Sequence, residues 1–122
     1  MAADKVHFGH VLFLHAARPP RKDAWQPRAD VRRMPGGWLV KFELAGVRPE
    51  DVRVTVREGS LLVQGTRRDE SRCDGLDFYR MEITYSHFER ILELPGISEA
   101  ADISATSLGG MLVVRIVTEG RP

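Results

Sequence analysis

The side chains able to do chemistry in this 122-residue chain are few and scattered. His7, His10 and His15 lie near the start, and imidazole is the commonest metal ligand. Their spacing matches no standard zinc pattern, and no carboxylate or cysteine is spaced to complete a ligand set. Solvated or interface histidines are the plainer reading. Ser86 and His87 are adjacent, so in an extended chain they leave opposite faces and do not form a nucleophile–base pair. Cys73 sits in a polar stretch where only Arg72 is at hand to lower a thiol pKa, and a passive exposed thiol is expected over a redox switch. Asp69, Glu70, Asp74 and Asp77 lack the ligand order of a calcium loop and read as a solvated charged segment. With no nucleophile elbow, phosphate loop or metal motif, the chain is not read as an enzyme, and no cofactor and no metal are expected.

Composition points the same way. Hydrophobic residues make up 43% and charged residues 29%, a globular balance large enough for one domain with one core. Eighteen basic residues against 17 acidic ones give a net charge of +1, which does not supply the basic face that a nucleic-acid binder needs. No apolar run is long enough to span a membrane. Val11–Ala17 is apolar, but His15 interrupts it and Lys5 alone precedes it as a basic residue, which is not the layout of a signal peptide. A single cysteine fits a reducing compartment, so the expected location is the cytoplasm.

The elements that would position any site follow from periodicity. Phe8, Val11, Leu12 and His15 fall on one helical face, with Phe13 and Leu14 beside it, so residues 1–24 are expected as a short N-terminal arm with a helical pattern stopped by Pro19-Pro20. The period then changes to two. Trp38, Val40, Phe42 and Leu44 alternate with Leu39, Lys41 and Glu43. Gly36-Gly37 predicts a turn that pairs Ala29–Arg33 with this strand. Val52, Val54 and Val56 mark the next strand, Leu61–Gln64 another that Gly65 is expected to end, and Phe88–Leu94 one that Pro95-Gly96 closes. Ile103 and Ala105 share a face, and Gly109-Gly110 turns into Met111–Val117. Arg67–Asp77 reads as a long surface loop, and Phe78–Thr84 as either strand or loop. Short strands about ten residues apart, with no internal helix pattern, predict an all-β antiparallel immunoglobulin-like sandwich over residues 25–117.

The order of these segments resembles the small heat-shock proteins of the α-crystallin family, bacterial type. The resemblance covers about Trp25 to Ile116. It rests on Ala29-Asp30-Val31, on Phe42-Glu43-Leu44-Ala45-Gly46-Val47 running into Pro49-Glu50-Asp51-Val52, and on Leu62-Val63-Gln64-Gly65. Phe78-Tyr79-Arg80-Met81-Glu82, Phe88-Glu89-Arg90, Leu94-Pro95, and Ala105 followed by Gly110-Met111-Leu112 complete it.

The resemblance implies an α-crystallin domain and ATP-independent holding of partly unfolded proteins. It implies dimers made by exchanging the Arg67–Phe78 segment into a partner's sheet, with Phe78, Arg80, Phe88 and Arg90 at or near the subunit contact. Client contact is expected from Phe8, Val11, Leu12, Phe13 and Leu14. A peptide groove is expected between Val52, Val54, Val56 and Ile103, Ala105. The family's isoleucine-any-isoleucine tail signal has no counterpart in the segment 118–122, so the groove is expected to stand open. Ile83, Ser86 and Gly109 stand where arginine, glycine and asparagine are common. Expected partners are unfolded clients and further copies of the chain, with no nucleic acid and no membrane. Two other readings stay open: an adaptor that binds one folded partner, and a subunit that works only mixed with another small heat-shock protein.

Overall fold

A computed structural model describes residues 4–8, 11–15, 23–71 and 73–118. The chain forms β1 (Asp4–Phe8), β2 (Val11–His15), β3 (Ala29–Met34), β4 (Gly37–Glu43), a short 3-10 helix (Pro49–Asp51), β5 (Val52–Arg57), β6 (Ser60–Arg67), β7 (Ser86–Glu93), β8 (Asp102–Leu108) and β9 (Met111–Val117). Two sheets result. One has six strands in the order β2-β1-β8-β9-β4-β3, the other three in the order β5-β6-β7. Among the described residues every strand pair is antiparallel except β1 with β8.

Alternation sets which side chains meet. Phe42, Val40, Leu112, Val114, Ile116, Ile103 and Ala105 line the inner face of the larger sheet, and Val52, Val54, Val56, Leu61, Val63 and Phe88 that of the smaller one. Leu44, Leu94 and Ile97 from the connections join the same cluster. Burying one such side chain contributes about 1.5–3 kcal/mol, against about 0–1 for an exposed ion pair. The core therefore holds the domain together, and the surface charges tune it.

Three expectations change. The N-terminal segment is not helical over the described residues: Asp4–Phe8 and Val11–His15 are strands paired from Asp4↔His15 to Phe8↔Val11. A four-residue spacing of apolar groups fits a helix, but Val6, Phe8, Val11 and Phe13 are residue types that favour extended chain, and Gly9 weakens a helix. Gly65 does not end its strand. It lies inside β6 opposite Phe88, where a Cβ would run into the Asp51 carbonyl and stand 2.5 Å from Phe88 Cζ. Gly37 begins β4 rather than sharing the turn, whose left-handed residue is Gly36 at φ 77°. The Pro19-Pro20 stop and the tail beyond Thr118 lie outside the described residues.

Candidate functional site

Between β6 and β7 the chain leaves the sandwich for residues 68–85. Among the described residues it carries the densest exposed apolar run: Leu76 is 73% exposed, Phe78 61%, Tyr79 100%, Met81 60% and Ile83 63%. Monomeric domains rarely leave such a run uncovered, and it marks a contact surface. Tyr79, Met81 and Ile83 are two apart, so in an extended conformation they share one face. Within a single chain the described residues of this segment form no ladder.

Its root is fastened firmly. Arg67 Nε and Nη2 donate to the Thr84 carbonyl at 2.9 and 2.7 Å, and Nη1 donates to the Ala45 carbonyl at 3.3 Å. The same guanidinium lies 4.5 Å from the Trp25 ring centroid and 5.9 Å from that of Tyr85. Next along the chain, Arg68 grips both Asp51 carboxylate oxygens at 3.1 and 3.3 Å. Arg48 adds contacts to Asp51 at 3.5 Å and Glu70 at 3.2 Å. The Arg68 hydrogen bonds hold the Asp51 carboxyl below its ordinary pKa, against the desolvation that would raise it, and Arg48 reinforces them. At the far end Ser86 stands at φ 100°, a conformation that L side chains rarely adopt.

Two sheet edges complete the picture. Among the described residues β3 pairs only with β4, so its other edge presents backbone groups to an incoming strand, with Val31 42% exposed. The outer edge of β7 is partly closed by the chain itself. Trp25 N donates to the His87 carbonyl at 3.1 Å, Glu89 N to the Trp25 carbonyl at 2.9 Å, and Arg90 Nη1 to the Pro27 carbonyl at 2.9 Å.

The expected site residues separate accordingly. Phe78 and Arg80 are exposed in the long loop, and Arg80 pairs with Glu82 at 3.2 Å. Phe88 is 1% exposed and packs on Trp25 with ring centroids 5.4 Å apart, so its side chain belongs to the core and not to a surface contact. Arg90 is half-buried and engaged by Pro27. Val52, Val54, Val56, Ile103 and Ala105 come together, but as buried core between β5 and β8. The groove expected to stand open has its β8 edge taken by β1, through His7↔Ser104 and Phe8↔Ala105. Phe8, Val11, Leu12, Phe13 and Leu14 lie on the β1–β2 hairpin. Cys73 is exposed. The Arg67–Trp25 stack and the Asp51–Arg68 clasp carry no sequence signal, because their partners are far apart in the chain.

The family model described as Hsp20/alpha crystallin matches residues 30–122. The chain belongs to the Hsp20/alpha crystallin family. An alpha-crystallin of Mycobacterium tuberculosis is 35% identical over 105 residues, covering 84% of this chain and 70% of that protein. A 17.3 kDa class II heat shock protein of Solanum peruvianum is 33% identical over 89 residues, covering 72% of this chain and 57% of that one. Among solved structures, hspA from Xanthomonas axonopodis superposes with a TM-score of 0.64 at 30% identity, covering 80% of this chain and 98% of that chain. A small heat-shock protein from Xylella fastidiosa gives 0.63 at 31% identity, covering 80% and 90%. The α-crystallin sandwich and its place among small heat-shock chaperones are thereby established.

Proposed function

We propose that this chain is an ATP-independent holdase that binds partly unfolded proteins and suppresses their aggregation. The observation that carries the reading is an Hsp20-family sandwich to which the apolar residues Phe8, Val11, Leu12, Phe13 and Leu14 are attached on a two-stranded hairpin. Apolar burial at about 25 cal/mol per Å² favours unfolded over folded partners without any nucleotide, because only unfolded chains offer long apolar segments. Capture of those segments competes with aggregation.

The exposed apolar run Leu76–Ile83 supports a dimer in which the 67–83 segment of each copy adds to the β3 edge of the other, with Phe78, Arg80 and Arg90 near the contact. Strand addition satisfies the outer-edge backbone groups of β3 and covers Tyr79, Met81 and Ile83 together. The solved relative from Xylella fastidiosa is described as having a distinct high order structure, in keeping with self-association here. Client contact is assigned to Phe8, Val11, Leu12, Phe13 and Leu14. The cytoplasm is the proposed location, on the strength of the single exposed thiol, Cys73.

The test is size-exclusion separation, without nucleotide, of the chain mixed with a model client in its native and heat-unfolded forms. Co-elution with the unfolded form alone is expected. Binding of one native partner at fixed stoichiometry, with no retention of unfolded clients, would replace the holdase by an adaptor.

A further inference from the structure

The outer face of the three-stranded sheet carries an ordered charge pattern. Val54, Val56, Leu61, Val63 and Phe88 point into the core, so their neighbours along β5, β6 and β7 point outward. The ladders set these outward residues in rows. Arg53 lies opposite Gln64, and Gln64 opposite Glu89. Thr55, Leu62 and Ile91 make the next row, and Arg57, Ser60 and Glu93 the one after. β5 thus contributes cations and β7 contributes carboxylates. The centre between them is apolar, with Leu62 half-buried and Ile91 50% exposed. Thr55 is fully buried on the side where β1 and β2 approach β5, so the apolar centre open to a partner is Leu62 with Ile91.

This pattern is complementary to itself. A second copy placed face to face, about a two-fold axis that runs along β6, sets β5 of each copy over β7 of the other in the same row. Arg53 then meets Glu89 of the second copy and Arg57 meets its Glu93, each contact being made twice, while Leu62 meets Leu62 on the axis. An axis across the strands does the reverse. It sets Arg53 against Arg57 and Glu89 against Glu93, like charges throughout, which opposes association. The charges therefore select one of the two ways in which the face can pair with itself. Arg57 already touches Glu99 at 3.6 Å with both side chains exposed, and such a pair is worth little, so it yields to a partner at small cost. Gln64 donates to Glu89 at 3.3 Å and holds that carboxylate on the face.

We propose that the outer face of β5-β6-β7 is a self-association surface that pairs with the same face of another copy about an axis along β6. It uses neither β3 nor residues 67–83, so it forms alongside loop exchange. Two different two-fold contacts on one chain carry assembly beyond a dimer. At the ordinary strand spacing and rise the face measures about 14 by 25 Å, so the contact buries about 700 Å² in all. A stable complex needs about 1,200–2,000 Å². The contact is therefore weak, reversible and sensitive to salt. The proposal goes beyond the holdase reading and does not rest on it.

The experiment compares the full chain with an acidic-faced variant, Arg53→Glu with Arg57→Glu, and a basic-faced variant, Glu89→Arg with Glu93→Arg. Sedimentation velocity over a concentration series, in low and in high salt, reads association, and far-UV circular dichroism checks each fold. Either variant alone sets like charges across the contact and is expected to associate at least about tenfold more weakly than wild type in low salt. Their equimolar mixture restores opposite charges at both edges and is expected to recover most of that loss. Variants that associate as wild type does, or a mixture no better than either variant alone, overturn the proposal and leave the face to another partner. A second measurement does not depend on those variants folding. In a Cys73→Ser background, Leu62→Cys and Ile91→Cys are each treated with a short bis-maleimide, and crosslinking is normalised to labelling by a simple maleimide. Leu62→Cys, on the axis, is expected to crosslink to itself about tenfold faster than Ile91→Cys, although Ile91 is the more exposed position. Equal rates, or faster crosslinking of Ile91→Cys, overturn the axis. Neither readout involves a client, so failure here is distinct from failure of the holdase.

Discussion

Arg67 lays its guanidinium 4.5 Å from the centre of the Trp25 ring while donating two hydrogen bonds to the Thr84 carbonyl. One side chain thereby fixes the N-terminal entry to the sandwich and both ends of the long apolar loop. Replacing it with alanine removes a cation–π contact and the donors to Thr84 and Ala45, for an expected loss of about 1–2 kcal/mol. The loop should also open. Limited chymotrypsin cleavage at Phe78 and Tyr79 is expected to accelerate in Arg67→Ala well beyond the change in global stability from urea unfolding.

Ser86 ends the same loop at φ 100°. A non-glycine residue held there costs on the order of 1–3 kcal/mol, part of which glycine recovers after its own larger entropy loss. Ser86→Gly is therefore expected to stabilise the chain by about 1 kcal/mol, read as a higher urea midpoint with an unchanged slope. A lower midpoint would show that the serine side chain contributes more than its backbone strain costs.

Gly65 is fixed by a close approach instead. Its Cβ would meet the Asp51 carbonyl and the Phe88 ring. Gly65→Ala is expected to lose about 1–3 kcal/mol. Adding Phe88→Leu should recover little, because the backbone carbonyl cannot be trimmed. Thermal unfolding of the single and double variants checks both statements.

The Asp51–Arg68 clasp gives the loop root a pH dependence. Its hydrogen bonds hold the Asp51 pKa below that of the unfolded chain. The stabilisation is then fully present above the unfolded value, near pH 4, and is lost as pH falls through the folded one. Arg68 is exposed, so added salt should shrink the effect. Proteolysis of residues 68–85 by pepsin should rise below pH 4 in the wild type, and Asp51→Asn should show the raised susceptibility without that pH step.

Much of this fold is legible in the residues alone. The alternation through Trp38–Leu44, Val52–Val56 and Leu112–Ile116 specifies three inner-facing strands, and the glycines at 36, 109 and 110 mark two of their turns. The binding surfaces are less legible, for physical reasons. The run Val11–Leu14 satisfies helical and extended periods alike over so few residues, and only pairing with Asp4–Phe8 decides for strand. Phe88 faces inward and its neighbour His87 outward, an assignment that reverses with a one-residue slip in register. The contacts of Arg67 with Trp25 and of Arg68 with Asp51 join residues 42 and 17 positions apart, beyond any local pattern. Ser86 leaves a trace, as a serine where the resemblance leads one to expect glycine.

The central claim is that the chain captures unfolded proteins through its own apolar surface without nucleotide. The most direct measurement is heat-induced aggregation of a model client, followed by light scattering, with the chain added at equal mass. Wild type and a Leu12→Asp, Phe13→Asp double variant are compared, with far-UV circular dichroism confirming the sandwich in both. The account predicts suppression by the wild type and loss of most of that suppression in the variant. A wild-type chain that leaves the scattering curve unchanged would contradict it.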